Sequence, residues 1–402
     1  MKTILEINAT NYSSTGHITL NIAKEARKKG YEVYTACKTA KVSLRFNYEN
    51  QLYIGNRYDR LVSQELAYVT GLRGHFNILN TRAFLKKVDE IKPDLIHLHV
   101  LHDTFINLSM LFEYINKHAI PVIWTFHDCW AFTGQCPYFD IVGCDKWKKG
   151  CHHCPQIHVE PKSLFLDTSR FMWNKKRKLF NLPQQMTIVT PSKWLADLTR
   201  ESFFKNYPIK VINNGINLDV FKPAPSDFRE RYNLKDKYIL LGVANEWGER
   251  KGLDVFMELA TRLDDSYQIV LVGTNDNVDK QLPANIISIH KTYDQKELAE
   301  IYTAADLFVN PTREENFPTV NIEALACGLP VITFETGGSV EIIDEYCGQS
   351  VKRNDIDALI KGIADIRNIP YERDACIRRS KNFNMSDKFQ EYIALYDEIL
   401  AK

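Results

Sequence analysis

Short apolar, β-branched runs recur along the first half of the chain (KTILEIN, YEVYTA, PDLIHLH, PVIWTFHD and MTIVTPS), with stretches of helical periodicity between them. That alternation predicts βαβ units around a mostly parallel sheet. One helix is expected over about residues 18–29, closed by Gly30 as a C′ glycine. A second series follows the loop INNGINLDVFKP at 212–223: YILLGVAN, YQIVLVG, IISIH, DLFVNPT and LPVITFE. It predicts a second doubly wound sheet, so the fold class is α/β with two Rossmann-like parallel-sheet domains. Asn213, Asn214 and Gly215 suit a turn, and Pro223 and Pro225 discourage helix, which puts the boundary near residue 210. The expected layout is a domain at 1–210, a domain at 211–383, and a closing helix at 384–402 that packs back on the first domain. In the closing helix Phe389, Tyr392, Ile393, Tyr396 and Ile399 share one helical face.

Bulk properties narrow the function without naming it. The chain has 402 residues, enough for two cores. Lys and Arg total 51 against 50 Asp and Glu, so no global field draws nucleic acid. No run approaches the roughly 18 to 20 apolar residues of a membrane span. The amino terminus, MKTILEINATNY, lacks the apolar core and cleavage site of a signal peptide. Nine cysteines, an odd number, argue against a secreted disulfide framework. A cytoplasmic protein is expected.

The segment REENFPTVNIEALACGLPV, 313–331, carries the first candidate chemistry. It links two buried strands, so a crossover helix is expected, with Pro318 at its first position, Asn316 or Phe317 near the cap and Gly328 at C′. Glu315 then lies in the loop before the helix and Glu323 inside it, roughly 8 to 10 Å apart at 1.5 Å per helical residue. Between them open the unpaired amides of the first turn, a ready anion site. A nucleotide-sugar, with hydroxyl-bearing rings at both ends and phosphate between, has that layout. Acids near a helix's positive end also fit simple dipole stabilisation of about 0.3 to 1 kcal/mol. In GVANEWGERKGL, Arg250 and Lys251 fall in a strand-to-helix loop at the same edge, where two cations can neutralise a diphosphate; a solvated basic turn fits as well. Two small-residue turns let backbone approach a ligand: Thr336 to Gly338, and the loop Ser13, Ser14, Thr15 and Gly16 before the first helix. Neither is the G-x-G-x-x-G of a dinucleotide site.

In order along the chain, PDLIHLH, TFHDCWAFTG, TPSKWLA, INNGINLDVFKP, RKG, AADLFVNPT and E-x7-E followed by EALACGLPVI resemble the GT-B glycosyltransferases of family four. These are retaining enzymes of bacterial surface-polysaccharide synthesis. The resemblance implies an acceptor-side first domain and a nucleotide-sugar-binding second one. It implies that Glu323 accepts hydrogen bonds from ribose hydroxyls, that Glu315 holds hydroxyls of the transferred sugar, and that the backbone of Phe317, Pro318, Thr319 and Val320 lines the phosphates and sugar. Lys251 would stabilise the departing diphosphate. The family often has an arginine five residues before this lysine; Glu246 stands there, which leaves Arg250 to take over that task. His127 falls where the family places a histidine facing donor sugar and acceptor, although a histidine at a strand end also fits a structural hydrogen-bonder. His97 and His99 alternate along a strand, so at most one is expected to face the ligand. Domain closure would bring His127 and Gly16 against a donor held by the second domain.

The implied reaction is metal-independent transfer with retention, by a front-face route, from a nucleotide-sugar to a saccharide or polyprenyl-linked saccharide. UDP is the commoner donor nucleotide in the family. The same architecture also serves nucleotide-sugar 2-epimerases, and a non-catalytic nucleotide-sugar-binding subunit is a third reading.

Two features stand apart from that reading. Cys136, Cys144, Cys151 and Cys154 crowd into an insertion at 136–154, where four thiolates can close a structural zinc site; free thiols are the alternative. FMWNKKRKLF, Phe171–Phe180, interleaves aromatic and basic residues, a pattern suited to peripheral contact at the inner membrane face, each cation adding about 1 kcal/mol. A helix whose apolar side enters the core fits equally.

Overall fold

A computed structural model describes residues 1–46, 48–159 and 161–401. It divides into two compact units, 1–212 with 389–402, and 213–388. In the first, β1 (Thr3–Ile7), β2 (Glu32–Lys38), β3 (Gln51–Ile54), β4 (Leu95–Leu98), β5 (Val122–Thr125), β6 (Met186–Thr190) and β7 (Ile209–Val211) form a parallel sheet in the order β3-β2-β1-β4-β5-β6-β7. In the second, β8 (Tyr238–Val243), β9 (Tyr267–Val272), β10 (Ile286–Ile289), β11 (Leu307–Asn310), β12 (Val331–Phe334) and β13 (Gly348–Val351) are parallel in the order β10-β9-β8-β11-β12-β13.

The strands read as near-continuous apolar runs because helices cover both faces of a parallel sheet. Period two then sorts their side chains into two layers. Ile239, Leu241, Val270, Val272 and Phe308 enter one core of the second unit, while their neighbours Leu240, Ile269, Leu271, Leu307 and Val309 enter the other. Strand order reverses between β1 and β4 and between β8 and β11, and the loops leaving those strands at their carboxyl ends are where open α/β sheets bind ligands.

Local structure departs from expectation in three places. The first helix runs Ser13–Lys28 and ends before Gly30, whose φ is +100°, but it starts earlier than periodicity indicated. Ser13, Ser14, Thr15 and Gly16 are therefore its first turn rather than a loop. Gly16 has a packing reason to be glycine: a Cβ there would lie 2.8 Å from the carbonyl carbon of Asn11. The crossover helix is Thr319–Ala326 and Pro318 is its N-cap, one position before the expected one, because its ψ of 111° is extended. Gly328 follows the C-cap with φ +79°.

The third concerns the helix Ser169–Phe180. Trp173, Lys176 and Phe180, at helical spacing, turn inward and are buried, and Trp173 Nε1 donates to the Trp147 carbonyl at 2.9 Å. The basic-aromatic stretch is thus a helix with its apolar side in the core, and Phe171 is the aromatic residue of that motif left exposed. The solvent side of this helix carries Phe171 together with Arg170, Arg177 and Lys178. Exposed apolar side chains gather instead on the helix Arg57–Thr70, at Tyr58, Leu61, Val62, Leu66 and Val69. No helix among the described residues is long and apolar enough to cross a membrane.

Gly252 closes the turn after β8 with φ +75°, and a Cβ there would sit 2.5 Å from the Pro311 carbonyl oxygen. Gly252→Ala is expected to destabilise the second unit by more than about 1 kcal/mol, since alanine resists that conformation and the space is taken. Denaturant unfolding checks this; an unchanged midpoint would refute the steric account.

Candidate functional site

The loops leaving β8 and β11 are zipped together along the edge of the second sheet. Trp247, nearly buried, anchors the first loop by donating Nε1–H to the Val272 carbonyl at 3.0 Å. Residues Glu249–Lys251 then make a single 3-10 turn. The Arg313 amide donates to the Arg250 carbonyl at 2.8 Å, and the Arg250 guanidinium returns a bond to the Glu314 carbonyl at 3.1 Å. Arg313 also forks onto both oxygens of Asp254, at 2.7 and 2.6 Å, fixing the loop to the start of the next helix. These bonds bring Lys251 Nζ onto Glu315 Oε2. With 20% and 14% of their side chains exposed, the pair is shielded but reachable.

Burial opposes ionisation of Glu315, but the Lys251 ammonium and its hydrogen bond, with Arg250 and the Asn316 amide, hold its carboxyl below the usual range. Glu323 is the contrary case. Burial pushes it up to about 7, against hydrogen bonds from Tyr302 and Thr319. Tyr302 donates to Glu323 Oε2 at 3.2 Å. Two carboxyls flanking one helix N-terminus thus differ, Glu315 a fixed anion and Glu323 poised near neutrality. The third loop joins them: the Gly338 amide donates to the Asn316 carbonyl at 2.9 Å, while the buried hydroxyls of Thr336 and Ser339 lack hydrogen-bond partners among the described residues. Glu246 is exposed on the β8 loop.

In the first unit His127 lies two residues beyond β5, and its Nε2 meets His99 Nδ1 at 3.2 Å. His99 Nε2 approaches Glu6 Oε2 at 3.5 Å. Glu6 Oε1 accepts from Tyr396 at 3.3 Å, and Tyr396 Oη meets His97 Nδ1 at 2.6 Å. His97 Nε2 meets Thr125 Oγ1 at 2.8 Å. His97 and His99, two residues apart and so on one side of the chain, lie with ring centroids 4.1 Å apart, tilted by 33°; they form a pair and do not divide between faces. Glu6, His97 and His99 have donor atoms close enough for a metal ion, but both nitrogens of His97 are already in hydrogen bonds. Beside them, burial opposes ionisation of Asp128, yet His102, at 3.1 Å, and the Trp130 amide bring it below the usual range.

Sequence reasoning passed over Tyr302 and Glu6, and gave Tyr396 only a packing place on the closing helix. Glu6 had a visible signal, a carboxylate inside the apolar strand TILEI. Tyr302 had none, since an aromatic on an amphipathic helix reads as core. Cys136, Cys144, Cys151 and Cys154 line one small cavity of the first unit, and none is in a disulfide.

The sequence pattern described as Glycosyltransferase Family 4 matches residues 15–220, and that described as Glycosyl transferases group 1 matches residues 226–383. The putative colanic acid biosynthesis glycosyl transferase WcaC of Escherichia coli K12 is 25% identical over 67% of this chain and 66% of its own. The N,N'-diacetylbacillosaminyl-diphospho-undecaprenol α-1,3-N-acetylgalactosaminyltransferase of Campylobacter jejuni is 29% identical over 58% of this chain and 65% of its own. The matched region thus spans just under two thirds of either relative. Among solved structures, sucrose-phosphate synthase from Thermosynechococcus elongatus superposes with TM-score 0.74 at 18% identity, covering 100% of both chains. HepE of Anabaena, in complex with UDP, gives 0.69 at 15% identity, over 99% of this chain and 100% of its own.

Burial lowers the pKa of His97 to about 3 and of His127 to about 4, with Asp128 opposing and His102 reinforcing the latter; His99 is lowered as well. An unfolded chain takes up these protons near 6.5. The neutral rings therefore stabilise the fold above that pH, and this is lost as pH falls toward 4 and 3. Glu6, raised by burial, acts in the opposite sense, its contribution fading as pH climbs past the carboxylate range. Unfolding free energy is expected to fall from pH 6.5 to about 4, by about 1.4 kcal/mol per pH unit for each uncompensated proton. His97→Gln should flatten this slope; identical slopes in variant and parent would show that the histidine is not held neutral.

Proposed function

Because the chain belongs to glycosyltransferase family four and its two parallel-sheet units have the GT-B fold, we propose that it transfers a sugar from a nucleotide diphosphate donor to a saccharide acceptor in cell-surface polysaccharide synthesis. The observation that carries this is the Lys251–Glu315 pair beside Glu323 at the β8/β11 switch point. Lys251 and Arg250 meet charge developing on the leaving diphosphate, with the amides of Phe317, Thr319 and Val320 at the helix N-terminus completing a preorganised anion site. That set offers neutralisation by fixed cations and dipoles, so we assign the reaction to a metal-independent route. Pro318 sets the extended entry to this helix. Glu315, kept ionised by Lys251, accepts hydroxyls of the transferred sugar, and Glu323 accepts the ribose diol.

His127 is neutral near pH 7 and has Nε2 committed to His99, which suits it to orienting a sugar or acceptor hydroxyl without carrying charge. With no carboxylate assigned as nucleophile, a front-face route with retention fits these roles best, the leaving phosphate oxygen taking the acceptor's proton. Gly16, where the absence of a Cβ lets the first helical turn pack against Asn11, is assigned to the donor side of the first unit. UDP is the preferred nucleotide, as in the HepE complex, and a polyprenyl-diphosphate-linked saccharide is the preferred acceptor class, as the Campylobacter relative's name indicates for that enzyme.

Labelled UDP- and GDP-sugars, assayed with and without lipid-linked acceptor, test the reading. Acceptor-dependent transfer from one donor is expected; turnover without acceptor would indicate an epimerase, and absence of donor binding would overturn the proposal. Lys251→Ala and Glu315→Ala should each slow transfer about a hundredfold or more, about 3 kcal/mol, with folding intact. Since the two side chains pair, the double variant should fall short of the product of the single effects; parental rates in both would remove the pair from the mechanism. If Glu323 binds the diol as a carboxylate, donor affinity should rise as pH climbs through about 7 and level off above it. Calorimetric titration of the parent and of Glu323→Gln, which should lack this dependence, decides the point.

A further inference from the structure

The cysteine insertion lies outside the machinery just described. Its stretch from Cys136 to Cys154 holds one 3-10 turn, Lys146–Lys148, as its regular structure. A loop of that length orders itself with difficulty unless something staples it. Yet all four cysteines line one cavity, walled by Phe139 and by the buried ring of Trp147, stacked 5.2 Å apart, although their sulfur atoms are not gathered as tightly as the donor atoms of Glu6, His97 and His99.

Three details around the thiols match what metal-bound sulfur needs. The Gly134 amide donates to Cys151 Sγ at 3.1 Å, the kind of outer hydrogen bond that steadies a ligating thiolate. Only glycine permits this approach: a Cβ at 134 would lie 2.5 Å from the Ser169 carbonyl oxygen and 2.9 Å from Cys151 Cβ. The third is Lys176, whose buried ammonium bonds to the carbonyls of Trp130 and Thr133, at 2.7 and 3.1 Å, rather than to a carboxylate. It lies within electrostatic reach of Cys136 and Cys151. A divalent ion held by four thiolates carries a net double negative charge, which favours the charged form of this lysine against the burial that otherwise lowers it to about 7.

We propose that Cys136, Cys144, Cys151 and Cys154 bind one structural Zn²⁺, which replaces the four thiol protons and staples the insertion. Four sulfur donors suit zinc and leave no open position for catalysis. The staple bears on the segment that carries His127. Thr133 Oγ1 donates to the Cys136 carbonyl at 2.6 Å, and the Cys129 amide to the Pro137 carbonyl at 2.9 Å, so an ordered insertion also orders the chain just beyond β5.

The full chain, expressed with zinc and purified under reducing conditions, should contain about one zinc per molecule by mass spectrometry. The double variant Cys151→Ser, Cys154→Ser should retain less zinc by about tenfold or more. Should that variant fail to fold, cobalt exchanged into the parent chain decides, with thiolate-to-cobalt charge transfer and the strong visible bands of a tetrahedral site expected. Zinc at background in the parent, unchanged zinc in a folded variant, disulfides among these cysteines under reduction, or iron with sulfide in place of zinc would each overturn the proposal. Metal content is read without any sugar donor, so its outcome is independent of the transferase assignment.

Discussion

Neighbouring parallel strands must release their chains at the same edge, and in the second unit this places the loop after β8 beside the loop after β11. Everything proposed about donor chemistry rests on that adjacency. Lys251 and Glu315 are far apart in sequence, and they meet because the backbone bond from Arg313 to Arg250, and the fork of Arg313 on Asp254, leave the loops little freedom. A cation and a carboxylate held this way enter the site already oriented, so little reorganisation opposes charge development on a leaving diphosphate.

The first unit solves a different electrostatic problem. Several titratable groups are buried side by side, and they persist because hydrogen bonds answer most of their polar atoms while desolvation keeps the histidines uncharged. Tyr396 and Tyr392 of the closing helix reach this network, Tyr396 bonding to both Glu6 and His97. Residues from the very end of the chain thereby help set the surroundings of His127. The cysteine insertion adds a second constraint on the same region, since it is tied to the chain immediately after that histidine.

Legibility in the sequence followed the range of the forces involved. The strand-helix alternation, the crossover helix with Gly328 behind it, and the loop position of Arg250 and Lys251 depend on near neighbours, and each was readable from them. The start of the first helix was missed because serine and threonine favour caps in isolation, whereas Ser13 enters the helix with φ +72°. FMWNKKRKLF was ambiguous for a similar reason. Its spacing defines a helix with two faces, but which face turns inward depends on Trp147 and Trp130, which come from elsewhere in the chain.

By itself the sequence determined the periodicities, the turns and the inventory of reactive side chains, because these are properties of the local chain: two parallel sheets, a carboxylate on either side of a helix start, four thiols in one insertion. Tertiary structure alone decided which groups meet. It paired Lys251 with Glu315, set Tyr302 on Glu323, brought His97 against His99 and buried Lys176 near the cysteines. Such pairings, and the protonation they impose, depend on distance and desolvation in the folded molecule, which spacing along a chain does not encode.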